Sequence, residues 1–190
     1  MKWHFKHLIF ALILMFSVGL FAEQIDEVRM DLQVNLFLKI LKYDRNIAER
    51  GKNGLKLGVL YNPASKKSTK AFRDFQENFN QIENRTVNGI QVFLIPIKGY
   101  EALSSSVKSY GVNIVYIASG FDSQLDDILS FCRSNKILTL TGVPKYAEKG
   151  VAVGLGIKMK KPQIIINNPV AKELGANFSA DILKLAKVIK

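Results

Sequence analysis

The stretch VNIVYIA, Val112 to Ala118, decides the fold, because it is of strand length and almost entirely apolar. A strand that faces water on one side alternates polar and apolar residues, whereas a strand covered on both faces is apolar throughout. Strands of the second kind belong to parallel sheets with helices on both sides. The stretch therefore predicts the centre of an α/β domain.

Strands and helices alternate on both sides of this stretch. Upstream, Leu55 to Tyr61 (LKLGVLY) is an apolar run that Asn62-Pro63 ends, and Ser65 or Ser68 can cap the helix that follows. The same order repeats along the chain, with strands predicted at Ile90 to Ile95 and Ile137 to Leu140, and helices at Tyr100 to Tyr110 and from a cap at Asp122. This alternation is typical of a sheet wound with crossover helices.

The last third of the chain departs from this order. Two apolar runs, Val151 to Ile157 and Gln163 to Ile166, are separated only by Lys158 to Pro162, which predicts an antiparallel hairpin. Two short helices are expected to close the chain, at Pro169 to Leu174 and from Ser179 through Ile189. The fold class predicted is a single three-layer α/β domain with a mostly parallel mixed sheet, a C-terminal hairpin and flanking helices.

The helix predicted for Val28 to Lys42 carries more apolar residues than one buried face needs. Either the helix is wedged into its own core on two sides, or part of it is a surface for a partner. Leu32, Leu36 and Ile40 are the candidate residues of that partner surface.

The first 22 residues have the three parts of a cleavable secretory signal peptide. Lys2 and Lys6 precede an apolar run, and small residues lead to a cleavage site expected after about Ala22. An uncleaved anchor is the alternative, although the apolar run is shorter than a membrane-spanning helix requires. The sequence predicts a signal peptide at 1–22 and one exported, periplasmic domain at 23–190.

Removal of that segment restricts the chemistry of the mature protein, because both histidines of the chain, His4 and His7, lie in it. Cys132 is the only cysteine and falls on the inner face of a predicted helix. A nucleophile paired with histidine, a histidine-bearing zinc site and an internal disulfide are therefore excluded. The net charge falls from +11 to about +9, and export argues against a nucleic-acid partner.

Small polar residues follow three of the predicted parallel strands. Asn62 and Ser65 come after the first strand, Ser119 after VNIVYIA, and Thr141 after the strand at Ile137 to Leu140. Ligands of open α/β sheets bind at these carboxyl ends, so the four residues are candidates for holding a small anion or carboxylate. Helix capping employs the same residue types. The sequence contains no Walker phosphate loop, no facing acid/base pair and no metal or cofactor motif.

The stretch from Lys136 onward resembles the YfiR family of periplasmic regulators. The similarity lies in ILTLTG (Ile137 to Gly142), YAEKG (Tyr146 to Gly150), IIINN (Ile164 to Asn168) and FSADILKLAKVI (Phe178 to Ile189), with Asn167 at the family's asparagine position. It continues more weakly through the opening helix, LGVLY and NIVYIA. It implies a non-enzymatic periplasmic protein that binds the outer domain of a membrane signalling protein such as a diguanylate cyclase.

One departure limits what the resemblance implies. Members of the family often have a cysteine at the start of the central strand, and their better-known members have disulfides, whereas this strand begins Val112-Asn113. A disulfide switch within this chain is excluded. A second reading stays open, because GVLYNPASKKS (Gly58 to Ser68) is similar to the first strand and turn of periplasmic substrate-binding proteins, which implies a small-molecule ligand. A homodimer is also compatible with the sequence.

Overall fold

The computed structural model describes residues 27–190, so the predicted signal peptide lies outside the described residues. The chain forms an eight-stranded mixed sheet between two layers of helices. The strands are β1 (Leu55–Tyr61), β2 (Thr86–Val87), β3 (Ile90–Lys98), β4 (Ile114–Ile117), β5 (Leu138–Thr141), β6 (Val153–Lys158), β7 (Lys161–Asn167) and β8 (Lys187–Ile189). The helices are α1 (Met30–Leu41), α2 (Ile47–Arg50), α3 (Lys66–Asn80), α4 (Leu103–Tyr110, after a 3₁₀ turn at Tyr100–Ala102), α5 (Leu125–Ser134), α6 (Pro144–Glu148), α7 (Asn168–Glu173) and α8 (Ala180–Leu185).

The sheet order is β2-β3-β1-β4-β5-β6-β7-β8. Strands β3, β1, β4, β5 and β6 are parallel to one another. β2 is antiparallel to β3, β7 is antiparallel to β6, and β8 is parallel to β7. The predicted fold class is confirmed. VNIVYIA occupies the centre of the sheet, and all four residues of β4 are buried.

Two apolar clusters cover the two faces of the sheet. Helices α1 and α3 pack on one face through Phe37, Phe75 and Phe79. Helices α4 and α5 pack on the other through Leu103, Leu125 and Ile128. Burial of large apolar side chains on both faces is the main favourable contribution to the stability of such a sheet.

The edge of the sheet formed by β2 and β3 offers few backbone donors to another strand. β2 pairs with only the first residues of β3, through a turn at Asn88-Gly89 in which both residues have positive φ. Beyond that turn, the Val92 N–H still points outward, to the Arg85 carbonyl. Because backbone groups alternate along a strand, the nitrogen of Pro96 lies on the same outer side and offers no donor there.

Three sequence-based expectations were wrong in detail. The final helix ends at Leu185, and Lys187 to Ile189 form β8 beside β7 instead of continuing the helix. The hairpin turn has two residues, Met159 and Lys160, instead of five. Asp122 does not cap α5, because its carboxylate accepts hydrogen bonds from Lys145 and Tyr146.

Candidate functional site

The order in which strands are added to the sheet changes direction between β1 and β4. From β1 the chain passes through α3 to β3 on one side of β1, and it then returns through α4 to β4 on the other side of β1. This is the switch point at which open α/β sheets bind ligands. The structure brings the loops that hold Asn62, Ser65 and Ser119 together here.

Asn62 ties the two loops of the switch point together. Its Nδ2 donates to the Gly120 carbonyl at 2.7 Å, its Oδ1 accepts from the Ala64 N–H at 2.9 Å, and its own N–H donates to Ser68 Oγ at 2.9 Å. Ser65 Oγ caps α3 by accepting from the Ser68 N–H at 3.2 Å. The polar atoms of Asn62 are therefore satisfied within the protein, and the capping role of Ser65 is the one the structure shows.

Ser119 and Thr141 differ in their hydrogen bonding. Thr141 is fully buried, and its Oγ1 donates to the Ile117 carbonyl at 2.9 Å and accepts from the Val143 N–H at 3.1 Å. Ser119 Oγ is buried and has no hydrogen-bond partner among residues 27–190. An unpartnered buried hydroxyl at a switch point is the feature there that an added ligand would satisfy.

Asn167 lies at the end of β7, away from the switch point. It is 8% exposed, and its Oδ1 caps α7 by accepting from the Val170 N–H at 3.4 Å. Asn167, which the resemblance placed at the family's asparagine position and which is a candidate binding residue, serves as a helix cap in this chain.

The candidate partner surface on α1 is narrower than predicted. Leu32 is 43% exposed and Leu36 is half-buried, but Ile40 is only 1% exposed because it packs in the core between α1 and the sheet. Ile40 therefore cannot contact a partner. Most of the apolar excess of α1 is explained by packing on two sides, against the sheet and against α3.

Gln33 is a polar residue of the core that the sequence analysis missed. It is 2% exposed, its Nε2 donates to the Val28 carbonyl at 2.6 Å, and its Oε1 accepts from the Tyr116 hydroxyl at 3.0 Å. Gly142, after β5, leaves the space that this amide fills, since a Cβ there would lie 2.1 Å from Gln33 Oε1. The signal was present, because a glutamine on the apolar face of a helix needs a buried partner.

Burial raises the pKa of two tyrosines, Tyr116 and Tyr146. Burial raises the pKa of Tyr116 above its ordinary value. It also raises the pKa of Tyr146 to about 12. The Tyr146 hydroxyl accepts from the Phe121 N–H at 2.9 Å and donates to Asp122 at 3.0 Å, so it stays neutral and holds the loop after β4.

The described residues show no arrangement for nucleophilic or metal chemistry. Burial raises the pKa of the Cys132 thiol to about 12, so the nucleophilic thiolate does not form at neutral pH. Residues 27–190 contain no group of three or more histidine, cysteine, aspartate or glutamate side chains able to hold a metal ion. No helix in the same range is long and apolar enough to cross a bilayer.

A cleft of about 570 Å³ opens at the other end of the sheet, and Arg50 dominates it. The Arg50 guanidinium donates to the carbonyls of Asn113 at 3.2 Å, Lys136 at 2.9 Å and Leu174 at 2.7 Å. These bonds join three loops at the amino ends of the strands, away from the switch point. We assign the arrangement to stability.

Several solved structures share this fold. The chain is similar to the structure of an "ABC domain" in complex with L-Trp from Streptococcus pneumonia, with 16% identity and a TM-score of 0.59 over 85% of this chain and 62% of that one. It is similar to a conserved domain protein from Vibrio cholerae, with 16% identity and a TM-score of 0.59 over 85% and 60%. It also matches the open, ligand-free structure of a substrate binding protein with adhesive properties from Clostridium difficile, at 16% identity and a TM-score of 0.53 over 76% and 57%.

The chain spans about three fifths of the length of these structures, so the likeness concerns the fold. Its own family is narrower. The chain belongs to the YfiR/HmsC-like family, whose model matches residues 30–187, and the resemblance found in the sequence is confirmed. A comparison with curated proteins finds no match.

Proposed function

We propose that this protein is a non-enzymatic regulator that acts in the periplasm by binding the outer domain of a membrane signalling protein, such as a diguanylate cyclase. Membership of the YfiR/HmsC-like family over residues 30–187 carries the proposal, because the match covers nearly the whole described domain.

The chemistry of the described residues supports binding over catalysis. The polar side chains of Asn62, Ser65, Thr141 and Asn167 form hydrogen bonds within the protein. The Cys132 thiol is fully buried and protonated at neutral pH. A protein of this kind changes the output of a partner by occupying its surface. The size of the effect depends on how much more tightly it binds one conformation of the partner than another.

Leu32 is the candidate contact on α1, with Leu36 beside it. Interfaces concentrate their binding energy in a few residues near the centre of the contact. Arg29, the N-cap residue of α1, and Asn35 and Lys39 within the helix are exposed, and their spacing places them on the same side as Leu32. An apolar centre inside a polar rim is the usual composition of a specific, reversible interface.

Site-specific photocrosslinking tests this surface in the protein's own cells. A photoreactive amino acid replaces Leu32 in one variant and Tyr110 in the control, since Tyr110 is 60% exposed and lies on α4, on the opposite face of the sheet. We expect the Leu32 variant to crosslink to the periplasmic domain of a membrane signalling protein. Equal crosslinking from both positions, or none from Leu32, would remove α1 as the contact surface.

Two measurements test the wider proposal. The mass of the purified mature chain should correspond to a first residue near Glu23, as cleavage after about Ala22 requires. Loss of the protein should change the cellular level of cyclic-di-GMP, and Leu32→Asp should reproduce that change while the purified variant remains folded. An unchanged level in both strains contradicts control of a cyclase.

A small-molecule binding module is the second candidate, favoured by the unpartnered Ser119 Oγ at the switch point. The similar structure in complex with L-Trp suggests an amino acid as the first ligand to test. At a concentration 100 times its dissociation constant, a ligand stabilises the fold by about 2.7 kcal/mol, which a thermal-shift screen over amino acids detects. Ser119→Ala should abolish that shift without destabilising the free protein, and silence across the screen counts against this candidate.

A further inference from the structure

The hairpin between β6 and β7 ends in a turn that breaks two rules of hairpin stability. Met159 and Lys160 both have positive φ, at 49° and 62°, in a two-residue turn that normally takes asparagine or glycine. Lys158 and Lys161 are direct cross-strand partners, and like charges in that relation repel each other. Local conflicts of this kind are retained at functional positions.

The turn also presents its side chains to solvent. Met159 is 87% exposed, more than any other large apolar side chain among the described residues, and Ile157 beside it is 36% exposed. Lys158, Lys160 and Lys161 are the neighbours of Met159 in the turn, and all three are exposed. A single apolar side chain that projects among lysines is poorly suited to a packed protein interface, which excludes water over a continuous area.

The C-terminal part of the chain lies beside this hairpin. Lys158, Gln163, Leu185 and Lys187 line one cleft, since β8 lies beside β7 and brings the end of α8 to the base of the hairpin. Leu185 is 73% exposed. We define the basic hairpin surface as Lys158, Met159, Lys160, Lys161, Leu185 and Lys187.

This surface has a strong excess of positive charge. Between Lys149 and Lys172 the chain has five lysines and no acidic residue, and no acidic residue follows Asp181. Among residues 27–190, Lys187 is the only member of this surface that forms an ion pair, with Glu148 at 2.9 Å. The other three lysines have no ion-pair partner in that range and can face an external anionic surface.

We propose that the basic hairpin surface docks the protein on an anionic phospholipid bilayer, with Met159 and Leu185 entering the headgroup boundary and the lysines facing lipid phosphates. Projecting apolar side chains among lysines are the combination that binds membrane interfaces. Each lysine near such a membrane strengthens binding about fivefold. Docking is separate from the proposed signalling partner and would concentrate the protein at the surface where a membrane protein exposes its outer domain.

The test is flotation of the purified mature protein with vesicles of equal parts phosphatidylglycerol and phosphatidylcholine, compared with phosphatidylcholine alone. Lys158→Glu/Lys161→Glu keeps the like-charged cross-strand pair and removes the positive field. Lys42→Glu/Lys108→Glu is the matched control, because both lysines are exposed, lie towards the other end of the sheet and give the same change in net charge.

We expect the native protein to float only with phosphatidylglycerol and the hairpin variant to bind at least tenfold more weakly, with the control within about threefold of native. Met159→Asn should weaken binding several-fold, while asparagine tolerates the left-handed turn. No flotation of the native protein, equal loss in both charge variants, or unchanged binding of Met159→Asn would each overturn the proposal. If the hairpin variant floats normally, and chemical crosslinking shows that it no longer contacts an acidic protein that the native chain binds, the surface docks a protein. The lipid proposal then fails.

Discussion

Substitution of Gly142 by alanine should destabilise the fold through a single buried side chain. The new Cβ would lie 2.1 Å from Oε1, and 2.6 Å from Cδ and Nε2, of Gln33. All three nearest atoms belong to the end of one flexible side chain, so Gln33 would swing away rather than the backbone shift. The cost is then the loss of the hydrogen bonds of Gln33 to the Val28 carbonyl and the Tyr116 hydroxyl.

The magnitude follows from burial of these groups. Gln33 and Tyr116 are each 2% exposed, so water cannot replace the lost bonds. A buried polar group left without a partner costs about 1–3 kcal/mol. With the amide and the phenol both affected, we expect Gly142→Ala to lower the free energy of unfolding by about 2–4 kcal/mol. Urea unfolding of the purified protein measures this change, and an unchanged m-value confirms that the denatured state is the same.

A double substitution tests the mechanism. Gln33→Ala removes the obstructing amide, so Gly142→Ala added to that background should cost less than about 1 kcal/mol more. A cost of Gly142→Ala alone below about 0.5 kcal/mol, or one that is fully retained in the Gln33→Ala background, would refute the reasoning.

Three further predictions follow from features described above. Met159→Asn/Lys160→Gly should raise the free energy of unfolding by about 1–2 kcal/mol in urea, because it relieves two residues in left-handed conformations; no gain would mean that the turn is unstrained. Arg50→Met should lower the free energy of unfolding by about 2–3 kcal/mol, because three carbonyls lose a charged donor. Arg73 is exposed, and Arg73→Met should change that free energy by less than about 0.5 kcal/mol. Equal effects of the two substitutions would contradict the role of Arg50. Cys132 should resist alkylation at pH 8 until the protein unfolds, and rapid labelling of the folded protein would be the contrary result. Because burial raises the pKa of this thiol from 9.0 to about 12, its contribution to stability is complete below pH 9 and is lost as the pH rises towards 12.

The sequence predicted the centre of the sheet better than its margins. β1 spans Leu55 to Tyr61 as predicted, and β4 lies within VNIVYIA, because apolar runs bounded by Asn62-Pro63 or Gly111 leave little alternative. β8 was missed because Lys187 to Ile189 is too short to show a period, and only its neighbour β7 makes it a strand. The two-residue turn was missed because Met159-Lys160 carries none of the residues that such turns favour.

The position of the candidate site was predictable from the sequence, but the hydrogen bonding of its residues was not. Strand-end residues identified the switch point, and the structure does bring Asn62, Ser65 and Ser119 together there. Which of these polar groups is already satisfied depends on partners distant in the sequence, such as the Gly120 carbonyl for Asn62. The buried pair of Gln33 and Tyr116 likewise joins residues 83 positions apart, a separation that no local pattern reports.

The blocked flank of the sheet has a consequence for assembly. One margin is β2, two residues long, beside a stretch of β3 that holds Pro96, and the other is β8, three residues long. Flanks this short, with a missing donor, are poor templates for another strand. Pairing of copies through these short edges into continuous sheets is therefore disfavoured, and a homodimer is expected to form through side chains on its helices.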